Sequence, residues 1–226
     1  MTTIAFVVQQ TMIFSIPLLI VAMGGMYSER SGVINVGLDG GMIMGAFTGT
    51  VFLNQMQGHM SGQGLLLLAL LVSGLTGFLF TIFHAFASIN LKANQVISGT
   101  AMNMFAPAFA FFAGRLLFGT QQVPFRDTFY IREVPLLGDI PILGPLLFQK
   151  AYITTYVGLL IFFFAWFVIQ KTSFGLRLRA CGEHPGAADT VGIDVQHMRW
   201  AGTLISGFLS GIGGLAFVVP TSTESN

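Results

Sequence analysis

The side chains able to do chemistry fall into two groups, and neither is a catalytic set. The first is a string of amides, a hydroxyl and one carboxylate inside long apolar runs: Asn35, Asp39, Asn94, Gln95, Ser98 and Asn103. Amides offer donors and acceptors together, which suits sugar hydroxyls or the edges of bases. Polar groups inside membrane-length runs are costly and often functional. The same groups can instead hydrogen-bond neighbouring helices. Asn35 and Asp39 also suit a cap or turn beside Gly32, Gly37, Gly40 and Gly41, with Arg30 as a possible ion-pair partner for Asp39. The second group is the run 173–199, SFGLRLRACGEHPGAADTVGIDVQHMR. Ser173 and Gly175 read as breakers of the preceding helix. Arg177 and Arg179 alternate with Leu176, Leu178 and Ala180. His184, Pro185 and Gly186 read as a turn, and Ala187 to Val191 as a short helical patch closed by Gly192. A short helix lying flat at a membrane surface, with small and basic residues exposed, is a natural docking knob for a soluble partner. Arg residues in a solvated loop that follows the positive-inside rule would give the same charge pattern.

Enzyme chemistry finds little support. His59, His84, His184 and His197 lack metal-ligand spacing, and no Ser or Cys is paired with a base. Inside the third apolar run, His84 reads as a packed, hydrogen-bonded residue. The single cysteine, Cys181, excludes an internal disulfide and a Cys-based metal cluster. Its neighbours Arg177 and Arg179 could lower its pKa, although an ordinary loop thiol is the simpler reading. A Gly-x-x-x-x-Gly-Lys-Ser/Thr phosphate loop is absent, so ATP is not expected to bind here. A net charge of +1 makes no electrostatic case for nucleic acid.

The elements that must position these residues are apolar. Of 226 residues, 54% are hydrophobic and 8% are charged, too few charges to wet a soluble domain of this size. Six runs are long enough to cross a bilayer as helix: 4–24, 33–53, 64–87, 99–118, 151–170 and 200–219. They are too long and unbroken for barrel strands. The fold class expected is therefore all-α, a polytopic transmembrane bundle of about six spans forming a single domain, 1–226. The first run lacks a basic start and a small-residue cleavage site, so it reads as a retained helix.

Charges collect in the connections, with Glu29 and Arg30 expected in a loop at 25–32. With the N-terminus outside, the inner side carries Arg30, Lys92, Lys171, Arg177, Arg179 and Arg199, against Arg115, Arg126, Arg132 and Lys150 outside. This is a mild bias in the direction cytoplasmic loops favour. Segment 171–199 is then cytoplasmic. The Pro- and Gly-rich segment 119–150 is extracytoplasmic and ordered, a possible platform for a binding protein.

Three stretches carry a resemblance. GLRLRACGEHP with its following AA and GI, from Gly175 to Ile193, resembles the cytoplasmic coupling loop of ATP-binding-cassette importer permeases. More narrowly, it is similar to the branch serving simple sugars and nucleosides. Glu29 to Gly45, ERSGVINVGLDGGMIMG, and Ala93 to Asn103, ANQVISGTAMN, resemble that branch in the same order along the chain. The resemblance implies that Arg177, Arg179, Gly182, Glu183, Pro185, Ala187, Ala188, Gly192 and Ile193 form the ATPase-coupling element. Ala187 and Ala188 would fit a groove of the ATPase, and Glu183 would pair with a basic group on it. It implies a substrate pathway near Asn35, Asp39, Asn94, Gln95, Ser98 and Asn103.

The implied partners are a cytoplasmic ATP-binding-cassette ATPase, which holds the ATP and Mg, a second permease subunit, an extracytoplasmic solute-binding protein and the bilayer of a bacterial inner membrane. The GVINVGLDG and QVISGTAMN forms incline the solute toward nucleosides over simple sugars. Family members continue into further helices where this sequence reaches Thr223, Glu224, Ser225 and Asn226, so a C-terminally truncated permease is expected. The competing reading is a secondary transporter or an intramembrane enzyme. It would need a charged or catalytic cluster at mid-span, and only the isolated Asp39 and His84 are available.

The topology predicts that a cysteine placed at Thr128 is labelled by an impermeant thiol reagent from outside the cell. Labelling from the cytoplasm alone overturns it.

Overall fold

The computed structural model describes residues 2–60, 62–119, 129–133 and 149–223. Eight α-helices dominate: α1 (Thr2–Arg30), α2 (Leu38–Met56), α3 (Gln63–Ala85), α4 (Gln95–Phe118), α5 (Ile153–Lys171), α6 (Ser173–Glu183), α7 (Pro185–Thr190) and α8 (Val195–Thr223). A π-helical turn, Phe86–Asn90, prolongs α3. Five helices are long and apolar enough to cross a membrane, over Phe6–Arg30, Gln63–Asn90, Gln95–Phe118, Ile153–Lys171 and Val195–Thr221. The bundle expected from the sequence is therefore present. The expected second span differs: residues 33–37 are not helical, and α2 starts only at Leu38. With Asp39 at one end and Asn54 and Gln55 at the other, α2 is too polar to count with the five.

α8 is the hub, packed against α1, α2 and α3. Small residues make this possible, because lipid supplies no hydrophobic drive between helices and close backbone approach must replace it. A Cβ on Gly211 would strike the Ser73 carbonyl oxygen of α3, and one on Gly77 would strike the Gly207 carbonyl oxygen of α8. A Cβ on Gly45 of α2 would lie 2.5 Å from Gly211 Cα. Ser73 Oγ uses the same closeness to donate to Gly211 O at 2.5 Å.

The contacts also fix direction. Along α8, residues 202 to 213 meet residues of α1 that fall from Ser31 to Pro17, while Ser210 to Leu215 meet α2 residues rising from Gly41 to Gly49. Gly158 of α5 lies on Ile16 and Ile20, and Tyr27 Oη donates to the Ala165 carbonyl at 2.7 Å. So α1, α3 and α5 run one way and α2, α4 and α8 the other. The ends of α1, α3 and α5 therefore share a side with α6 and α7.

Other expectations need correction. Glu29 and Arg30 lie in the last turn of α1 and not in a loop, which lets Arg30 sit at the negative end of the helix. The Leu–Arg alternation at 176–180 is helix α6. The helix breaks at Thr172, which is extended at φ −107°, ψ 158°, while Ser173 and Gly175 both belong to α6. One short antiparallel pair, β1 (Tyr130–Glu133) with β2 (Gln149–Tyr152), lies before α5 with Tyr130 opposite Tyr152 and leaves the all-α class expected from the sequence unchanged. Most of the expected loop 119–150, including Arg126 and Thr128, lies outside the described residues.

Since the groups a Cβ would meet at Gly211 are backbone, Gly211→Leu is expected to cost about 1–3 kcal/mol or more and to lower the thermal midpoint of the solubilised protein. Gly64→Ala, where the added Cβ meets nothing within 4 Å, is the neutral control in the same melting assay.

Candidate functional site

Two structures contain the candidate residues: the α6–α7 helix pair and the break between α1 and α2. The pair begins at Thr172. Its Oγ1 accepts from Gly175 N at 3.2 Å and donates to Val168 O at 2.5 Å, which caps α6 and ends α5 at one residue. The turn is tight enough that a Cβ on Gly175 would strike the Ile169 carbonyl oxygen. One stripe of α6, Gly175, Leu178 and Cys181, is buried, and Leu178 joins the core with Ala165 and Ile169. Leu176, Arg177 and Glu183 are exposed.

Pro185 then occupies the first position of α7, where its missing N–H costs nothing. Gly192, at φ +83°, ends α7 by donating to Asp189 O at 2.9 Å. A shallow cleft of about 300 Å³ lies between the two helices, lined in part by Ala180, Glu183, His184, Ala187 and Val191. Beyond it, Asp194 caps α8, accepting from His197 N and meeting His197 Nδ1, both at 2.9 Å. The His197 backbone bond, then its side-chain bond, hold the Asp194 carboxyl below the usual carboxylate range.

Of the nine residues expected in this element, Arg177, Glu183, Ala187 and Gly192 are exposed, and Gly182, Pro185 and Ile193 are half-buried. Ala188 is buried at 4% exposure but lines the same cleft as the exposed Ala187. Arg179 folds back along its helix, with Nη1 3.4 Å from Gln170 Oε1. Within the chain Glu183 already has a basic partner, Arg30 Nη1 at 3.8 Å, with both groups well exposed. The Arg30–Asp39 pairing considered from the sequence is not made. The Cys181 reading is also reversed. Burial pushes its thiol above the ordinary value, opposed by the charge of Arg199, and Arg177 and Arg179 do not act on it.

The second structure is the non-helical segment 31–37, which alternates between the bundle and its surface: Ser31, Val33, Asn35 and Gly37 are buried, while Gly32 and Ile34 are exposed. Its backbone is tied at nearly every residue. Ser28 Oγ donates to Val33 O at 2.7 Å. Ile34 N donates to Gln95 Oε1 at 2.8 Å, and Ile34 O lies 3.2 Å from His84 Nε2. His84 Nδ1 meets Ser98 Oγ at 3.2 Å. Asn35 Oδ1 accepts from Gly37 N at 3.0 Å, while its Nδ2 donates to Ser206 Oγ of α8 at 2.9 Å. Asn103 closes the set: Nδ2 donates to Val36 O and Oδ1 accepts from Gly40 N, both at 2.8 Å.

Asn35, Gln95 and Asn103 thus converge on the backbone of one segment, and Ser98 reaches it through His84, while Asn35 Nδ2 ties it to Ser206 of α8. Asn94 stands apart as the N-cap of α4, accepting from Val96 N at 2.9 Å. Asp39 is exposed in the first turn of α2, where the helix dipole favours a carboxylate. Sequence reasoning placed His84 as a packed residue but missed that it joins α3, α4 and segment 31–37. The signal available was its coincidence with the polar start of the fourth run.

A family profile described as "Branched-chain amino acid transport system / permease component" matches residues 7–226. The chain belongs to this permease family. It is a multi-pass membrane protein of a transport family, not an enzyme. It is 44% identical over 214 residues to a guanosine ABC transporter permease of Bacillus subtilis, covering 93% of this chain and 66% of that one. To a nucleoside ABC transporter permease of Lactococcus lactis subsp. cremoris it is 40% identical, covering 95% of this chain and 68% of that one. A putative glucose ABC transporter permease of Haloferax volcanii is 32% identical, with 87% and 57% covered. The chain spans about two thirds of the length of the two nucleoside permeases. No solved structure matches it.

The burial pattern predicts that a cysteine at Ala187 in a Cys181→Ser background reacts with a maleimide roughly tenfold or more faster than native Cys181 at pH 7.5. Equal rates would show that α6 does not bury its thiol.

Proposed function

We propose that this permease is the membrane subunit of an ATP-driven importer for nucleosides in a bacterial inner membrane. A cytoplasmic ATP-binding-cassette ATPase docks on α6 and α7 and holds the ATP and Mg. A second permease subunit completes the pathway, and an extracytoplasmic binding protein delivers the solute. The observation that carries this reading is the α6–α7 pair. A permease whose own sequence has no phosphate loop places an amphipathic helix, a Pro-started short helix and a cleft between them at the end where its basic residues gather. The buried stripe of α6 anchors the pair to α1 and α5, while Leu176 and Val191, at 62% and 74% exposure, present apolar surface outward. Apolar side chains outside the spans are explained by a protein partner. Nucleoside is favoured over simple sugar because the two relatives named for nucleosides are more similar than the one named for glucose.

For the pathway, the reading rests on Asp39. It is presented at the start of a helix that begins within the bundle, an arrangement suited to solute contact in transporters. Asn35, Gln95, Asn103 and, through His84, Ser98 shape that site from behind through the hydrogen bonds described above, while Asn94 contributes only as the cap of α4. The competing secondary-carrier reading offers no role for the exposed apolar residues of α6 and α7.

Purification of the protein from its native membrane in mild detergent, followed by mass spectrometry, tests the proposal. A cassette ATPase is expected to co-purify, and to be lost with Ala187→Trp, whose bulk falls on the exposed face. Ala188→Trp is not equivalent, since Ala188 is buried in the wall of the cleft and a large side chain there must displace its neighbours. A well-folded preparation that brings no ATPase with it counts for a carrier.

A further inference from the structure

Segment 31–37 is held at both ends by different parts of the molecule. At its lower end the chain leaves α1 through a turn in which Ser31 N donates to Ser28 O at 3.0 Å and Gly32 N to Glu29 O at 2.9 Å. Here α6 presses directly on it: a Cβ on Gly182 would strike the Arg30 carbonyl oxygen, and one on Gly32 would lie 3.4 Å from Gly182 Cα. Gly32 also needs its φ of +86° to make this turn. The Arg30–Glu183 pair spans the same junction. At its upper end Asn103 grips the Val36 carbonyl and the Gly40 amide, and so joins the segment to the first turn of α2, which carries Asp39. Between these ends Gln95 and His84 hold Ile34 by its amide and its carbonyl.

A backbone held at several residues at once, from α3, α4 and α8, does not yield at one residue alone. A displacement of α6 must therefore move the segment as a unit or leave it behind. We infer that segment 31–37 is the strut that carries displacement of the α6–α7 pair to the start of α2, and that Gln95 is a positioning residue for it. This inference rests on the ATP-driven reading above. The route it describes is distinct from the covalent one, through α7 into α8. Gln95 suits the assignment because it is half-buried at the first turn of α4, contributes one acceptor to one backbone amide, and lies far along the chain from both Gly182 and Asp39.

The test uses the whole transporter in proteoliposomes, with this chain, its permease partner, the ATPase and the binding protein together. Uptake and ATP hydrolysis are measured in the same vesicles with a nucleoside as probe. Gln95→Leu removes the acceptor, and Gln95→Glu keeps it. Gln95→Leu is expected to lower solute moved per ATP about tenfold with the ATPase still bound, while Gln95→Glu stays within about twofold of the wild type. Gly182→Val, which pushes α6 off the lower end, is expected to lower the same ratio, and adding Gln95→Leu to it should lower the ratio little further, since both break one linkage. An unchanged ratio in Gln95→Leu, an equal fall in Gln95→Glu, or fully multiplying effects in the double variant overturns the strut. Absence of ATP-dependent uptake by the wild-type assembly would instead overturn the importer reading, and so separates the two failures.

Discussion

In an apolar bundle every backbone N–H and C=O must find its partner within the protein, because water is not there to serve. Helices meet most of this demand by themselves, apart from the interruptions at Pro17 in α1, Pro107 in α4 and Pro220 in α8. The chain breaks the rule once inside the bundle, between Arg30 and Leu38, and much of the molecule's polar chemistry answers that break. Asn35, His84, Gln95, Ser98 and Asn103 come from three different parts of the sequence, and their hydrogen bonds meet on the backbone of seven residues.

That constraint explains the shape of α2. It starts late because the segment before it is extended, and it starts inside because the segment climbs alongside α8. Asn90 bonds Trp200 near the start of α8, and Asn35 bonds Ser206 six residues further on, about 9 Å along the axis. α2 therefore begins with its Gly40 amide tied to Asn103 and with Asp39 exposed beside it. Keeping α2 there requires its flank to touch α8, which is why Gly45 and Gly211 lack side chains. The glycine packing and the polar clamp are two parts of one solution, since the clamp positions the helix end that the glycines let approach.

Much of this was legible in the sequence. Apolar runs of membrane length gave the bundle, its directions and the helix class, because length and hydrophobicity alone decide those. Of the α6–α7 pair only α7 was legible, from Pro185 and Gly192, whose backbone preferences act locally, while α6 was read as a Leu–Arg alternation. Its start at Thr172 was misread because Ser173 and Gly175 look like breakers until the Ile169 carbonyl is seen to need Gly175. The different exposure of Ala187 and Ala188 was not legible either. In so short a helix, tertiary packing and not periodicity chooses the buried side. The polar residues of the fourth run were found as a set, but their partners lie some sixty residues earlier, and that pairing depends on α2 and α4 lying parallel. Asp194 and His197 form a local cap that spacing would have revealed had the helix start been sought there.

The central claim is that hydrogen bonds from α3, α4 and α8 hold the break between α1 and α2 in place. Hydrogen–deuterium exchange of the protein in lipid nanodiscs measures this directly. The account predicts that the amides of Ile34, Gly37 and Gly40 exchange as slowly as those in the middle of α8, because each donates within the bundle. Exchange at the rate of a surface turn, such as the residues around Gly58, would contradict it and return segment 31–37 to the status of a simple loop.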